Sequence, residues 1–151
     1  MILRRILVII PTYNESENIP KIIPDVLLHS DEKNEFNVLV VDDNSPDGTA
    51  QIVKDMNNKN VFLIEREGKM GLGTAYVRGF KFAIENKFDL VFEMDADFSH
   101  DPKYLPEFLI KIDEGYDMVI GSRYVQGISV LNWPMGRLLL SYLANIYTRI
   151  I

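Results

Sequence analysis

Val91-Phe-Glu-Met-Asp95-Ala-Asp97-Phe-Ser-His-Asp101-Pro-Lys103 is an apolar run that ends in two carboxylates spaced i, i+2. A short Val- and Phe-containing segment broken by acidic, polar and proline residues reads as a strand leaving a sheet. Side chains alternate along extended backbone, so Asp95 and Asp97 are expected on one side, with Ala96 between them too small to obstruct a ligand. Two hard carboxylates suit Mg2+ or Mn2+, which binds through one or two protein carboxylates and completes its shell with water and substrate phosphates. The pattern therefore points to a substrate carrying a diphosphate. The competing reading is that acids after a strand simply cap the helix that follows.

Outward from that stretch, apolar runs alternate with amphipathic segments. Strands are expected over 6–10, 36–41, 61–65, 90–94 and 118–120, each rich in Val, Ile, Leu or Phe. Helices are expected over 20–28, 49–56, 74–86, 104–114 and from near Met135 to the end, with Pro24 kinking the first. No repeat or low-complexity tract interrupts the alternation, so the chain reads as α/β with a mostly parallel central sheet.

Composition narrows the chemistry. The 151 residues, 47% of them hydrophobic, are enough for one core and one domain. The chain has no cysteine, which excludes disulfides and thiolate metal sites, and His29 and His100 are too few for a histidine-rich zinc site. A net charge of -6 and a pI near 4.9 argue against nucleic acid as a partner. No apolar run reaches membrane-spanning length, and Met1-Ile-Leu-Arg-Arg-Ile-Leu-Val-Ile-Ile10 leads into a turn without a cleavage pattern, so a cytoplasmic location is expected.

Four expected strand ends carry polar or glycine-containing turns: Pro11-Thr-Tyr-Asn-Glu15, Asp42-Asp-Asn-Ser-Pro-Asp-Gly48, Gly68-Lys-Met-Gly-Leu-Gly73 and Asp95-Ala-Asp97. In open parallel sheets that edge is where ligands bind. Gly71-Leu-Gly73 before a helix reads equally well as an anion-binding turn and as plain tight-turn chemistry. Asp42 and Asp43 have a turn-forming reading too, with Ser45 as a helix cap. As acceptors, a well-placed carboxylate takes two N–H donors from guanine, whereas uracil offers one.

Read in order, Pro11-Thr-Tyr-Asn-Glu15, Val40-Val-Asp-Asp-Asn-Ser-Pro-Asp-Gly-Thr49, Gly71-Leu-Gly-Thr-Ala-Tyr76, Met94-Asp-Ala-Asp-Phe-Ser-His100 and Gly121-Ser-Arg-Tyr124 resemble the family 2 glycosyltransferases. Within that family the wording is most similar to polyprenyl (dolichyl) phosphate mannosyltransferases. The resemblance implies a Rossmann-like nucleotide-diphospho-sugar (GT-A type) fold and a catalytic domain that continues past Ile151. It implies that Pro11, Tyr13, Glu15, Val41 and Asp43 hold the nucleoside of GDP-mannose, and that Asp95, Ala96 and Asp97 meet the metal and diphosphate. Family members often carry Gln two residues after the second Asp; this chain has Ser99, the third candidate ligand. Arg123 and Arg137 match family arginines that meet the acceptor phosphate, a task suited to guanidinium geometry. Where the family often has Gly-Gly after the Gly-Ser-Arg-Tyr segment, this chain has Gly127-Ile128.

The implied reaction is inverting mannosyl transfer to a polyprenyl phosphate. A cation on Asp95 and Asp97 would stabilise the departing nucleoside diphosphate. A phosphate monoester, with a second pKa of about 6, is already an anionic nucleophile and needs no general base. His100 reads as a turn residue. A lipid acceptor implies peripheral association with the cytoplasmic membrane face, and the helix from Leu138 to Ile151 reads equally as an interfacial helix and as a core helix. Three other readings stay open: a relative using a UDP-sugar, a receiver-like phosphoacceptor built on Val40-Val-Asp-Asp43, and a nonenzymatic nucleotide-binding fragment. Oligomeric state is not legible.

Overall fold

The computed structural model describes residues 3–122 and 135–150. Among these residues four parallel strands form one sheet: β1 (Arg4–Thr12), β2 (Asn34–Asp42), β3 (Val61–Glu65) and β4 (Leu90–Glu93). The helices are α1 (Ile19–Leu27), α2 (Thr49–Asp55), α3 (Leu72–Glu85), α4 (Leu105–Asp113) and α5 (Met135–Ile150). Each half of the expected alternation is present, and Pro24 lies inside α1 as the sequence indicates.

The sheet order is β3-β2-β1-β4. The chain therefore steps outward from β1 through α1 to β2 and through α2 to β3, then returns through α3 to the other side of β1. That reversal makes the boundary between β1 and β4 the topological switch point, where the ends of diverging connections leave a crevice. The loops after β1 and β4 flank it.

Alternation along the strands divides the core. Ile6, Val8, Ile10, Phe36, Val38 and Val40 face a cluster completed by Ile19, Ile22, Ile23 and Val26 of α1, Val53 of α2, and Leu105 and Leu109 of α4. Leu7, Ile9, Leu39 and Val41 face the opposite way, against Ala75 and Ala83 of α3. β1 and β2 pair in register from Arg4 with Asn34 to Thr12 with Asp42, so both deliver their next residues to the same edge. Gly79 brings α3 close to β1: a Cβ there would lie 2.6 Å from Cδ1 of Ile9.

Two expectations need correction. β4 ends at Glu93, and residues 96–97 form a turn, so the alternation of an extended strand is not what places Asp95 and Asp97. Residues 118–120 do not form a strand. Three residues supply few ladder bonds, and among the described residues they have no strand partner. The chain divides into two compact units, Met1–Glu114, which holds the whole sheet, and Gly115–Ile151, which holds α5. No helix among the described residues is long and apolar enough to cross a membrane.

Candidate functional site

The loop after β1 is held by side chains of the loop after β2. The amide N–H groups of Asn14, Glu15 and Ser16 donate in turn to Ser45 Oγ (3.0 Å), Thr49 Oγ1 (3.0 Å) and Asp47 Oδ2 (2.9 Å). Asn14 sits at φ 61, a conformation Asn tolerates better than most residues. Asp47 also accepts from the amide and hydroxyl of Thr49. Desolvation by the surrounding loop opposes its ionisation, but the hydrogen bonds from Thr49 and Ser16 outweigh this and hold its pKa at about 2.

The adjacent acids Asp42 and Asp43 have different surroundings. Asp42 is buried and accepts from Thr12 Oγ1 (2.8 Å), Ser45 N (2.8 Å) and Ser45 Oγ (2.6 Å). It ties the two loops together from beneath. Asp43 pairs with Arg66, the residue immediately after β3: Nε donates to Asp43 Oδ1, and Nη2 lies against the same oxygen. The guanidinium is nearly buried, and it also donates from Nη1 to Thr74 Oγ1 (2.6 Å) and from Nη2 to the Gly71 carbonyl (3.3 Å). One side chain thus links the loop after β2 to the start of α3. Three residues further on, Lys69 places Nζ 3.5 Å from the centre of the Tyr13 ring, an exposed cation–π contact.

Beyond β4, Asp95 is half-exposed and Asp97 exposed. Asp97 Oδ1 accepts from the Ser99 amide at 2.9 Å. Partial desolvation works against its ionisation, but hydrogen bonding from Ser99 prevails and its pKa lies below the ordinary carboxylate value. Phe98, at φ 59, turns the chain so that His100 reaches back, and His100 Nδ1 accepts from the Asp95 amide at 3.1 Å. Since that nitrogen accepts, its 3.8 Å approach to Asp95 Oδ2 is not an ion pair while the imidazole is neutral. His100 is a turn residue, as its sequence context indicates. Asp101 caps the next turn by accepting from Lys103 N. From α3, the Tyr76 hydroxyl approaches Asp95 Oδ1 at 3.4 Å; burial, with Asp95 and Glu93 nearby, raises its pKa well above the usual phenol range.

The donor chemistry fits a hard divalent cation. Among the described residues no Lys or Arg makes an ion pair with Asp95 or Asp97, and Ser99 adds only oxygen. No cluster of three or more His, Asp or Glu able to cage an ion is found among those residues. An ion here would need water or substrate oxygens to complete its shell, which is the habit of Mg2+ and Mn2+.

The structure brings Pro11, Tyr13, Glu15 and Asp43 to the ends of β1 and β2, and Asp95, Asp97 and Ser99 to the end of β4, all on the carboxyl edge of one sheet. Val41 is fully buried against the α3 side and Ala96 is almost so in the opposite cluster, and they shape the site from beneath. Arg123 lies outside the described residues, and of Arg137 only the backbone, in α5, is described. Sequence reasoning missed Arg66, Lys69, Thr12 and Tyr76. For Arg66 the sequence offers only its place as a cation directly after an expected strand; its partner is set by the structure, where its amide bonds the Asp42 carbonyl at 2.8 Å as the β2–β3 pairing runs out.

The model of a family described as "Glycosyl transferase family 2" matches residues 7–150. The chain is 46% identical over 149 residues to a polyprenol monophosphomannose synthase of Mycolicibacterium smegmatis, covering 97% of this chain and 55% of that protein. It thus spans about half the length of that relative. Among solved structures it is similar to a mannosyltransferase from Pyrobaculum calidifontis in complex with GDP-Man and Mn2+ (27% identity, TM-score 0.53, 64% of this chain and 28% of that one). It is also similar to residues 1–349 of S. aureus TarS in complex with UDP-GlcNAc (31% identity, TM-score 0.59, 73% of this chain and 31% of that one).

Proposed function

The chain belongs to glycosyltransferase family 2, and from that premise we propose that it is the donor-binding part of an enzyme transferring mannose from GDP-mannose to a polyprenyl phosphate. The observation that carries the reading is the 46% identity to a polyprenol monophosphomannose synthase across a span containing every strand-end loop of the site. The mannosyltransferase neighbour holding GDP-Man and Mn2+ supports the same donor and a divalent ion.

In this reading Tyr13 and Asp43, beside Pro11 and Glu15, receive the nucleoside at the ends of β1 and β2. The diphosphate then extends across the switch point toward Asp95 and Asp97, which with Ser99 are the residues that would hold Mg2+ or Mn2+. Such an ion supplies positive charge against the developing negative charge of the departing diphosphate. The turn built by Asp97, Ser99 and His100 fixes the carboxylates before substrate arrives, and hydrogen bonding from Ser99 favours the ionised form of Asp97. The acceptor phosphate, already anionic, attacks the anomeric carbon opposite the leaving group and inverts its configuration. Arg123 and Arg137 are the proposed acceptor contacts. Peripheral binding at a membrane surface follows from a lipid acceptor.

The test is sugar transfer by the intact protein to polyprenyl phosphate in vesicles. GDP-mannose should be used and UDP-GlcNAc refused. Transfer from the UDP-sugar alone would favour the second reading, which rests on the TarS similarity.

A further inference from the structure

We propose that Arg66 makes Asp43 a one-pronged reader of the nucleobase, leaving a single carboxylate oxygen to accept a single ring N–H. The inference rests on the nucleotide site proposed above and concerns how that site selects its base. An ionised carboxylate ordinarily offers two oxygens side by side, which can take the N1–H and the 2-amino group of guanine together. Here Oδ1 is occupied, with Arg66 Nε donating to it and Nη2 lying against it. The guanidinium cannot readily give that oxygen up, because it is nearly buried and anchored on its far side by Thr74 Oγ1 and the Gly71 carbonyl. Among the described residues Oδ2 accepts no hydrogen bond, and no buried side-chain oxygen among them lacks a partner, so Oδ2 is reached by solvent. Asp42 is no substitute, since Thr12 and Ser45 occupy both of its oxygens from within the fold.

Asp43 therefore anchors a purine or pyrimidine through one N–H and does not read the 2-amino group of guanine. Arg66 acts through Asp43 and is a positioning residue. Asp43→Asn would keep its carbonyl toward Arg66 and turn its NH2 group toward the base donor, so it removes the acceptor that remains. Arg66→Gln would release Oδ1 and permit a two-pronged contact.

The test is calorimetry with GDP and with inosine diphosphate, which lacks the 2-amino group, on the intact protein and on the two variants. The wild type should bind the two within about threefold of each other, and Asp43→Asn should weaken both by a common factor of about ten or more. In Arg66→Gln the ratio should widen in favour of GDP, a change that a purely structural role for Arg66 would not produce. A wild-type preference for GDP of more than about tenfold that Asp43→Asn erases would overturn the inference and leave the proposed function standing. So would weakening of both ligands by Arg66→Gln at an unchanged ratio. Failure of the folded wild type to bind GDP, inosine diphosphate or UDP would overturn both.

Discussion

Two acidic strand ends face the same edge of the sheet, and their chemistry differs because of what surrounds them. After β2, Asp42 is enclosed by Thr12 and Ser45 and Asp43 is clamped by Arg66, so that pair is largely satisfied by the protein itself. After β4, Asp95 and Asp97 meet amide, hydroxyl and imidazole groups but no Lys or Arg among the described residues. The first pair is scaffold and reader, whereas the second is negative charge left for a ligand to neutralise. Adjacent carboxylates in a sequence therefore do not define a metal site. The cations and donors nearby decide, and those arrive from other loops.

The largest expected break in the comparison is Asp97→Asn. The amide keeps an oxygen for the Ser99 N–H, so folding stability should fall by no more than about 1 kcal/mol, while turnover by the intact protein should fall by about a hundredfold to a thousandfold. Steady-state kinetics beside a thermal melt separates the two effects, and unchanged turnover would remove the metal role from Asp97. The converse change is Asp42→Ala, which leaves three donor contacts from Thr12 and Ser45 without their acceptor. It should cost about 3 kcal/mol in urea unfolding. If Asp42 instead lost function at full stability, it would belong to the reader rather than the scaffold.

These contrasts also show what the sequence can reveal. The strands and helices of the first unit follow from short Val- and Ile-rich runs separated by amphipathic segments, and β1 and β2 extend beyond the expected 6–10 and 36–41 only by ladder pairing at their polar ends. The motif loops land together because parallel strands deliver consecutive connections to one edge. The Asp43–Arg66 pair, 23 residues apart, was not legible, because it depends on β3 lying beside β2. The turn at Asp97 was misread as extended strand because its determinant, His100 folding back to the Asp95 amide, is a side-chain contact that periodicity cannot register. Residues 118–120 show that apolar composition does not make a strand without a pairing partner.

A smaller effect is expected at Thr12→Val, which keeps the shape but removes one donor to the buried Asp42. A loss of about 1 kcal/mol in the same unfolding assay is predicted, and no loss would mean that Ser45 alone satisfies Asp42. The smallest concerns pH. Asp47 has a folded pKa of about 2, below its ordinary value of 3.8. Its contribution to stability is therefore fully present above the unfolded value and is lost as pH falls from there toward about 2. The difference in urea midpoint between wild type and Asp47→Asn should shrink across that window, and a constant difference would contradict the assignment.

The most direct measurement is a calorimetric titration of the folded protein with GDP, with and without Mn2+, repeated on Asp97→Asn. The account predicts that Mn2+ tightens GDP binding to the wild type, and that Asp97→Asn abolishes this increment while leaving metal-free binding unchanged. GDP binding to the wild type that is indifferent to Mn2+ would contradict the division between a protein-satisfied acidic pair after β2 and a cation-seeking pair after β4.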